Sequence, residues 1–170
     1  MLWLITDNLK KYDECAMILG RHGMRVERRA TASFDEGALD AVFAANPKLV
    51  AVLRETSKLV RKDDGELLGD WRDPANAVLP VRNVARLQVW SRDERGAIAR
   101  KQYESAVDGW LDPAASEGAV DAFGWDAAFR TRALGRSYHE LRAVGLEHSA
   151  RDRVLAQFAM TSCTCASGSI

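Results

Sequence analysis

The turn at Thr6–Lys11 carries side chains suited to a phosphate group. It follows the apolar run Leu2–Ile5 and precedes a segment whose apolar residues have helical spacing. The N–H groups that begin such a helix lie at the carboxyl edge of the sheet, where α/β proteins bind anions. Thr6 and Asn8 can donate hydrogen bonds to phosphate oxygens, and Lys11 can supply a positive charge. An equal alternative is that Asp7 or Asn8 caps the helix and does nothing more.

A second candidate is the aromatic segment around Gly124. Phe123 and Trp125 flank this glycine, and Asp126 follows them. Aromatic rings can stack on a nucleobase, and a carboxylate can accept hydrogen bonds from its N–H groups. Aromatic residues at such spacing belong more often to a hydrophobic core, so both interpretations stay open here.

Strands and helices must position these two segments. Apolar runs of strand length alternate with helical patterns through the first third of the chain, which predicts a twisted sheet covered by helices. The predicted elements are a strand at Leu2–Ile5, a helix over 8–22, a strand at Met24–Arg28, a helix from Ser33 to the residue before Pro47, and a strand at Leu49–Leu53.

The middle of the chain predicts a hairpin instead of a further helical crossover. Val78–Trp90 is rich in β-forming residues, and Ala97–Ser105 can return beside it after a turn. The sheet is therefore expected to be mixed. Helices are predicted near 137–145 and 149–160. We expect one nucleotide-binding α/β domain over residues 1–160 and a disordered tail over 161–170.

Composition limits the function classes. Lysine plus arginine equals aspartate plus glutamate, 24 against 24, which argues against a duplex nucleic-acid binder. The chain has no membrane-spanning run and no signal peptide, so we expect a cytoplasmic protein. Cys15 is predicted to be a small buried residue. The Cys163 and Cys165 pair lacks accompanying ligands, which disfavours a metal site there.

Five segments together resemble the inosine-triphosphate (non-canonical purine NTP) pyrophosphatases. The family's Phe-Gly-(Trp/Tyr)-Asp-Pro-x-Phe signature is similar to Phe123–Phe129, and its Thr-Gly-Asn-x-x-Lys turn is similar to Thr6–Lys11. Its Thr-(Tyr/Phe)-x-Glu-(Met/Leu), Ser-His-Arg-x-x-Ala-Leu and (Asp/Glu)-Asp-(Ser/Thr)-x-Leu elements look like Ser137–Leu141, Ser149–Leu155 and Glu55–Leu59. The five segments occur in the family's order.

The resemblance implies a fold, a reaction and a set of contacts. The fold is a mixed sheet with flanking helices and a central cleft, here with a shortened middle segment at 60–77. The reaction is Mg²⁺-dependent cleavage of a purine nucleoside triphosphate to monophosphate and pyrophosphate. The implied phosphate contacts are Thr6, Asn8 and Lys11, and the implied base contacts are Phe123, Trp125, Asp126, Ser149 and Arg151. The two groups would face each other across the cleft. Family members often form homodimers, and this is left open.

Several positions depart from the family pattern. Asp7 replaces a glycine, and Thr56 replaces the aspartate that orients the attacking water. Arg29 falls where the family has a metal-binding glutamate, and Glu27 is the nearest acid on that face. Glu55 precedes Thr56 and can substitute only if the strand bends.

Lys11, Glu55 and Thr56 are therefore the catalytic candidates, and Glu55 with Glu27 are the candidate ligands of an incomplete Mg²⁺ site. Ala150 also replaces a pocket histidine of the family. One group of basic residues near the same strand end forms either a solvated face or a cationic cradle that replaces the metal. Its members are Arg54, Lys58, Arg61 and Lys62.

Three functions are compatible with this sequence. The first is a nucleotide pyrophosphatase with altered substrate choice. The second is an enzyme that acts on a nucleoside monophosphate by different chemistry. The third is a nucleotide sensor or interaction protein without catalysis. A shared fold does not fix a reaction.

Overall fold

The computed structural model of the protein describes residues 1–72, 78–116, 124–145 and 149–164. Six strands and four α-helices occur in these ranges. In chain order they are β1 (Leu2–Ile5), α1 (Leu9–Arg21), β2 (Val26–Arg29), α2 (Leu39–Ala45), β3 (Ala51–Arg61), β4 (Leu79–Arg92), β5 (Ile98–Leu111), β6 (Phe129–Thr131), α3 (Tyr138–Ala143) and α4 (Ala150–Thr164).

The strands form one mixed sheet in the order β2-β1-β3-β4-β5-β6. β1 is parallel to both β2 and β3, whereas β5 and β6 are antiparallel. β4 and β5 follow each other through a short turn in which Asp93 N donates to Ala97 O at 2.9 Å. The predicted α/β class with a mixed sheet and flanking helices is confirmed.

The described chain forms two compact units. The first contains Met1–Thr56, Arg86–Glu104 and Val154–Ile170, and the second contains Ser57–Ala85 and Ser105–Arg153. β3, β4 and β5 therefore contribute residues to both.

The core of the first unit includes an apolar cluster on the α2 side of the sheet. Ile5 of β1 and Val52 of β3 point to this side, where they pack with Phe43 of α2. Trp90 is 2% exposed, and its ring lies 5.0 Å from that of Phe34 between centroids. Its indole N–H donates to Glu36 Oε1 at 2.9 Å. The opposite set of side chains meets α1, whose apolar residues Cys15, Ile18 and Leu19 are buried.

Several elements differ from the sequence expectations. The second helix begins at Leu39 and not near Ser33, because Asp35 caps a short 3₁₀ turn by accepting from Gly37 N at 2.9 Å. β3 extends to Arg61, well past the predicted Leu53. β6 was not predicted. The segment predicted as a disordered tail begins inside α4, which continues to Thr164, and the rest of it lies outside the described residues.

Replacing Trp90 tests the packing of the first unit. Trp90→Ala removes a buried ring and leaves a cavity, so the free energy of unfolding should fall by about 3–5 kcal/mol. Trp110→Ala is the matched control, because Trp110 is 39% exposed, and it should cost less than about 1 kcal/mol. Urea unfolding followed by circular dichroism measures both. Equal losses would contradict the assigned burial.

Candidate functional site

The corner between β1 and α1 is closed by local hydrogen bonds. Asn8 is the N-cap of α1, and its side-chain oxygen accepts from Lys11 N at 3.0 Å. Asn8 N in turn donates to Thr6 Oγ1 at 3.2 Å. Asn8 is therefore the helix cap, and its role as a phosphate contact stays a prediction. An N-cap satisfies part of a helix's first turn and leaves its other N–H groups pointing outward from the helix end.

Asp7 does not cap the helix. Its carboxylate accepts from Thr31 N at 3.0 Å, which joins the corner to the segment after β2. That backbone hydrogen bond holds the pKa of Asp7 below its usual value. Thr6 N also donates to Arg29 O at 2.9 Å. Asp7 is therefore a structural contact between two chain segments at the carboxyl edge of β1 and β2.

Lys11 and Glu55 form the central contact of the corner. Lys11 Nζ lies 3.3 Å from Glu55 Oε2 and donates to Glu55 O at 3.2 Å. The Glu55 side chain is fully buried, whereas the Lys11 side chain is 20% exposed. An ammonium has three N–H donors. One donates to the backbone oxygen of Glu55, and the ammonium is also in ion-pair contact with the Glu55 carboxylate. A further donor can meet an anion at the surface.

Glu27 lies on the other side of the sheet from Glu55. Glu27 is aligned with Trp3, and Trp3 with Val52, so these three side chains share one face. Glu55 is an odd number of residues beyond Val52 and points to the α1 face, where Lys11 meets it. The structure therefore does not bring Glu27 and Glu55 together on one ion, because the strand register separates them.

Glu27 is also engaged locally. Its carboxylate Oε2 accepts from Arg29 at 3.0 Å, and the Arg29 guanidinium lies 4.3 Å from the centroid of the Trp3 ring. In the described part of the chain, no group of three or more His, Cys, Asp or Glu side chains could hold a metal ion. Because Mg²⁺ requires several oxygen ligands, these engaged carboxylates do not fit a protein-held Mg²⁺ site.

Thr56 and the four basic residues near it have separate environments. Thr56 and Arg54 are exposed and belong to the first unit. In the second unit, Lys62 Nζ lies 2.9 Å from Asp108 Oδ2, and Arg82 Nε donates to Asp108 Oδ1 at 2.7 Å. Lys62 therefore serves an ion pair. The interpretation of these residues as one cationic cradle stays a prediction.

The predicted base-binding residues that the structure describes lie in the second unit. Asp126 is 6% exposed, and its Oδ2 lies 2.8 Å from Arg142 Nη1. Trp125 is half-buried, and its backbone oxygen accepts from Phe129 N at 2.8 Å. Phe123 lies outside the described residues. The cleft predicted between the aromatic segment and the Thr6–Lys11 corner stays a prediction.

Ser149 and Arg151 lie at the start of helix α4. The Ser149 hydroxyl accepts from Asp152 N at 3.0 Å, and Ser149 N donates to Asp152 Oδ2 at 2.9 Å, as in a capping box. Arg151 is 8% exposed and its Nη2 donates to Ser57 Oγ at 3.3 Å. Both residues therefore have structural contacts within the second unit.

Two polar residues that organise the second unit, Asn83 and Arg142, were not predicted from the sequence. Asn83 is 3% exposed; it donates to Lys58 O at 3.2 Å and accepts from Tyr138 Oη at 3.2 Å. Burial raises the pKa of Tyr138 strongly, so it stays a neutral hydrogen-bond donor. The signal available in the sequence was an asparagine on the apolar face of a long strand. Arg142, the partner of Asp126, gave no such signal because helix surfaces commonly carry arginine.

Comparison with solved structures identifies the fold. The Ham1 protein of Staphylococcus aureus aligns with a TM-score of 0.55 at 15% identity, covering 95% of this chain and 97% of that one. A HAM1 protein from Coxiella burnetii aligns at 0.58 and 14%, covering 96% and 98%. The chain therefore has the Ham1, or inosine-triphosphate-pyrophosphatase-like, α/β fold. The resemblance inferred from the sequence is confirmed at the level of the fold.

A third structure aligns more loosely. It is the nucleoside-triphosphatase, dITP/XTP pyrophosphatase, of Mycobacterium abscessus, with a TM-score of 0.44 at 16% identity over 99% of each chain. No family model and no curated protein sequence matches the chain. Among the described residues, no helix is long and apolar enough to span a membrane.

The Lys11–Glu55 contact should be energetically coupled. Lys11→Met leaves the buried Glu55 carboxylate without its ammonium, so the free energy of unfolding should fall by about 2–4 kcal/mol. Adding Glu55→Leu removes the buried charge and should restore part of that loss. Urea unfolding of the wild type, both single variants and the double variant gives the coupling. Strictly additive losses would show that the two groups do not interact.

The Asp108 cluster gives a pH-dependent stability. Hydrogen bonds from Arg82 and then Lys62 lower the pKa of Asp108 to about 2. A lowered carboxyl pKa stabilises the folded protein above the unfolded value of about 3.9, and this contribution is lost as the pH falls toward 2. Asp108→Asn should therefore cost about 1 kcal/mol at pH 7, after allowance for solvent screening, and almost nothing near pH 2.

Glu104→Gln is the control for this measurement. Glu104 pairs with Arg86 on the same two strands, but its side chain is 45% exposed, against 30% for Asp108. Its effect at neutral pH should be smaller than that of Asp108→Asn. Unfolding in urea at several pH values tests both, and a constant Asp108→Asn effect from pH 7 to pH 2 would refute the assignment.

Proposed function

We propose that this protein binds a purine nucleotide through the Thr6–Lys11 corner and hydrolyses it between phosphates. The supporting fold is shared with Ham1 proteins, and the sequence segments resemble the purine NTP pyrophosphatases. The observation that carries the proposal is the Lys11 ammonium, held at a strand-to-helix corner with 20% of its side chain exposed. Such a corner, with helix N–H groups and one lysine, suits phosphate oxygens.

In this proposal Lys11 keeps its contact with Glu55 while it binds phosphate. The hydrogen bond to the Glu55 backbone oxygen, at 3.2 Å, and the ion pair with its carboxylate, at 3.3 Å, remain. A further donor of the ammonium meets a phosphate oxygen. The Asn8 side chain keeps its oxygen on Lys11 N at 3.0 Å, so its NH₂ group is the end that donates to the ligand. The Thr6 hydroxyl, which accepts from Asn8 N, can donate its own hydrogen.

Glu55 is a positioning residue in this scheme. Its carboxylate is fully buried against Lys11, so it directs the ammonium and is poorly placed to take a proton from a surface water. Thr56 is the exposed residue on the opposite face of β3. Its neutral hydroxyl is a poor proton acceptor and does not replace a carboxylate as a general base. We therefore expect turnover to be slow relative to an enzyme with a positioned carboxylate there.

We also propose the base contacts that the sequence resemblance implies. Trp125 is half-buried and offers a ring edge or face, and Asp126 would accept base N–H groups in addition to its contact with Arg142. Phe123, Ser149 and Arg151 complete the proposed set. The hydrogen bonds that Ser149 already makes with Asp152 leave it fewer polar groups for a ligand.

We propose further that nucleotide binding does not require a magnesium ion held by protein carboxylates. Three acidic residues near this edge have partners: Asp7 accepts from Thr31, Glu27 accepts from Arg29, and Glu55 forms an ion pair with Lys11. Mg²⁺ would then enter, if at all, on the nucleotide's phosphates. The same engagement favours a second candidate function, a nucleotide sensor that binds without turnover.

The test is nucleotide binding by a pair of neighbouring lysine variants. Lys11→Gln keeps a donor for Glu55 but removes the charge, so nucleotide affinity should fall by roughly 10- to 100-fold, the value of one charge-assisted hydrogen bond. Lys10→Gln is the control, because Lys10 is an exposed neighbour on the same helix. Isothermal titration with purine mono-, di- and triphosphates, with Mg²⁺ and with EDTA, measures the affinities.

Product analysis on the same nucleotide panel separates the functions. Pyrophosphate release from a triphosphate supports the hydrolase. Conversion of a monophosphate without metal indicates the different enzyme, and tight binding without any product indicates the sensor. If no nucleotide binds to the wild type, or if Lys10→Gln and Lys11→Gln weaken binding equally, the phosphate-binding role of the corner is refuted.

A further inference from the structure

A cavity of about 870 Å³ lies in the first unit, away from the Thr6–Lys11 corner. Leu2 and Ala51, the first residues of the parallel strands β1 and β3, line it, together with the turn between β4 and β5 and the end of α4. At about 3.3 Å per residue, Leu2 and Thr6 are roughly 13 Å apart along the strand. Ligands of α/β sheets usually bind at the carboxyl edge, whereas this cavity is at the amino edge.

The charged residues around the cavity are mostly basic. Arg25, Arg92, Arg95 and Lys101 line it, against the two acids Asp93 and Glu94. Among the residues that the structure describes, no ion pair joins Arg25, Arg95 or Lys101 to an acidic side chain.

One of the two acids is held in the hairpin turn. Asp93 Oδ1 accepts from Arg95 N and Ala97 N at 2.9 Å. Several cations with few competing carboxylates favour an anionic ligand.

The wall of the cavity is aromatic and apolar. Tyr103 and Phe158 meet edge to face with centroids 5.9 Å apart, and Tyr103 Oη lies 3.1 Å from Thr161 Oγ1. Val50, which is 62% exposed, and Met24 add apolar surface. Pockets with apolar walls and a few charged groups are typical of small-molecule sites, and their usual volumes include this one.

We propose that this amino-edge cavity is a second ligand site, which binds a small organic anion with a flat apolar body. The ring lies against Tyr103 and Val50, and the acidic group lies beside Arg25 and Lys101. This site is independent of the nucleotide corner, because none of its lining residues belongs to Thr6–Lys11 or to β3 beyond Ala51. Aromatic carboxylates and sulfonates both combine a flat ring with an acidic group in this way.

The probe for this proposal is anilinonaphthalene sulfonate, whose fluorescence rises in apolar sites. Phenylnaphthylamine has nearly the same rings without the sulfonate and serves as the neutral comparison. The double variant Arg25→Gln/Lys101→Gln should bind the sulfonate about three- to tenfold more weakly than the wild type, since each exposed charge contributes modestly. The neutral amine should bind the wild type and this variant equally, and added salt should weaken only the sulfonate.

Two further variants control the experiment. Arg132→Gln/Arg136→Gln removes two exposed charges that do not line the cavity, and it should leave the sulfonate affinity unchanged. Ala99→Trp places a large ring inside the cavity and should abolish binding of both probes. Each variant must keep a cooperative thermal transition, because partly unfolded chains also bind this probe.

Equal weakening by both double variants would overturn the proposal, because binding would then follow net charge and not the cavity. Unchanged binding in Ala99→Trp would overturn it as well. If light scattering showed a dimer that excluded the probe, the cavity would be an interface between two copies of the chain, and the proposal of a small-molecule site would be wrong.

Discussion

The contact between Lys11 and Glu55 joins the first turn of α1 to the middle of β3. Its ammonium is partly exposed, and its carboxylate is fully buried. Removing the ammonium would therefore leave a buried carboxylate without its counter-charge. A buried ion pair of this kind is weak as a source of stability but costly to break. It fixes the direction of Lys11 at the corner, and it removes Glu55 from the surface. The chemistry available at the corner follows from these two consequences.

The remaining acidic residues at the same edge are engaged in a similar way. Asp7 accepts from the backbone of Thr31, and Glu27 accepts from Arg29, which also lies over the Trp3 ring. This edge therefore presents cationic groups and N–H donors to an anion. It presents few uncommitted carboxylates to a cation. The fold is shared with Ham1 proteins, but a fold can host different chemistry when its site residues change.

Local patterns in the sequence were sufficient for most of the fold. The apolar run at β1, the helical spacing of Cys15 and Leu19 in α1, and the hairpin of β4 and β5 each carry a strong periodic signal. The predicted start of α2 was wrong because Asp35 caps a 3₁₀ turn that precedes the helix. The strand β6 has three residues, which is too short for any alternation to be recognised.

The candidate site was harder to predict, because its contacts join distant parts of the chain. Lys11 and Glu55 are 44 residues apart, and nothing local indicates that they meet. The separation of Glu27 from Glu55 depends on the register of β1 with β2 and β3. A shift of one residue would reverse the face of every side chain, and no pattern within a single strand determines that register.

A crystal structure with a non-hydrolysable purine triphosphate analogue would test the account most directly. The account predicts a phosphate oxygen within hydrogen-bond distance of Lys11 Nζ and of the Asn8 side chain, with Lys11 still in contact with Glu55. A bound analogue whose phosphates lie away from the Thr6–Lys11 corner, with Lys11 contacting only Glu55, would contradict it.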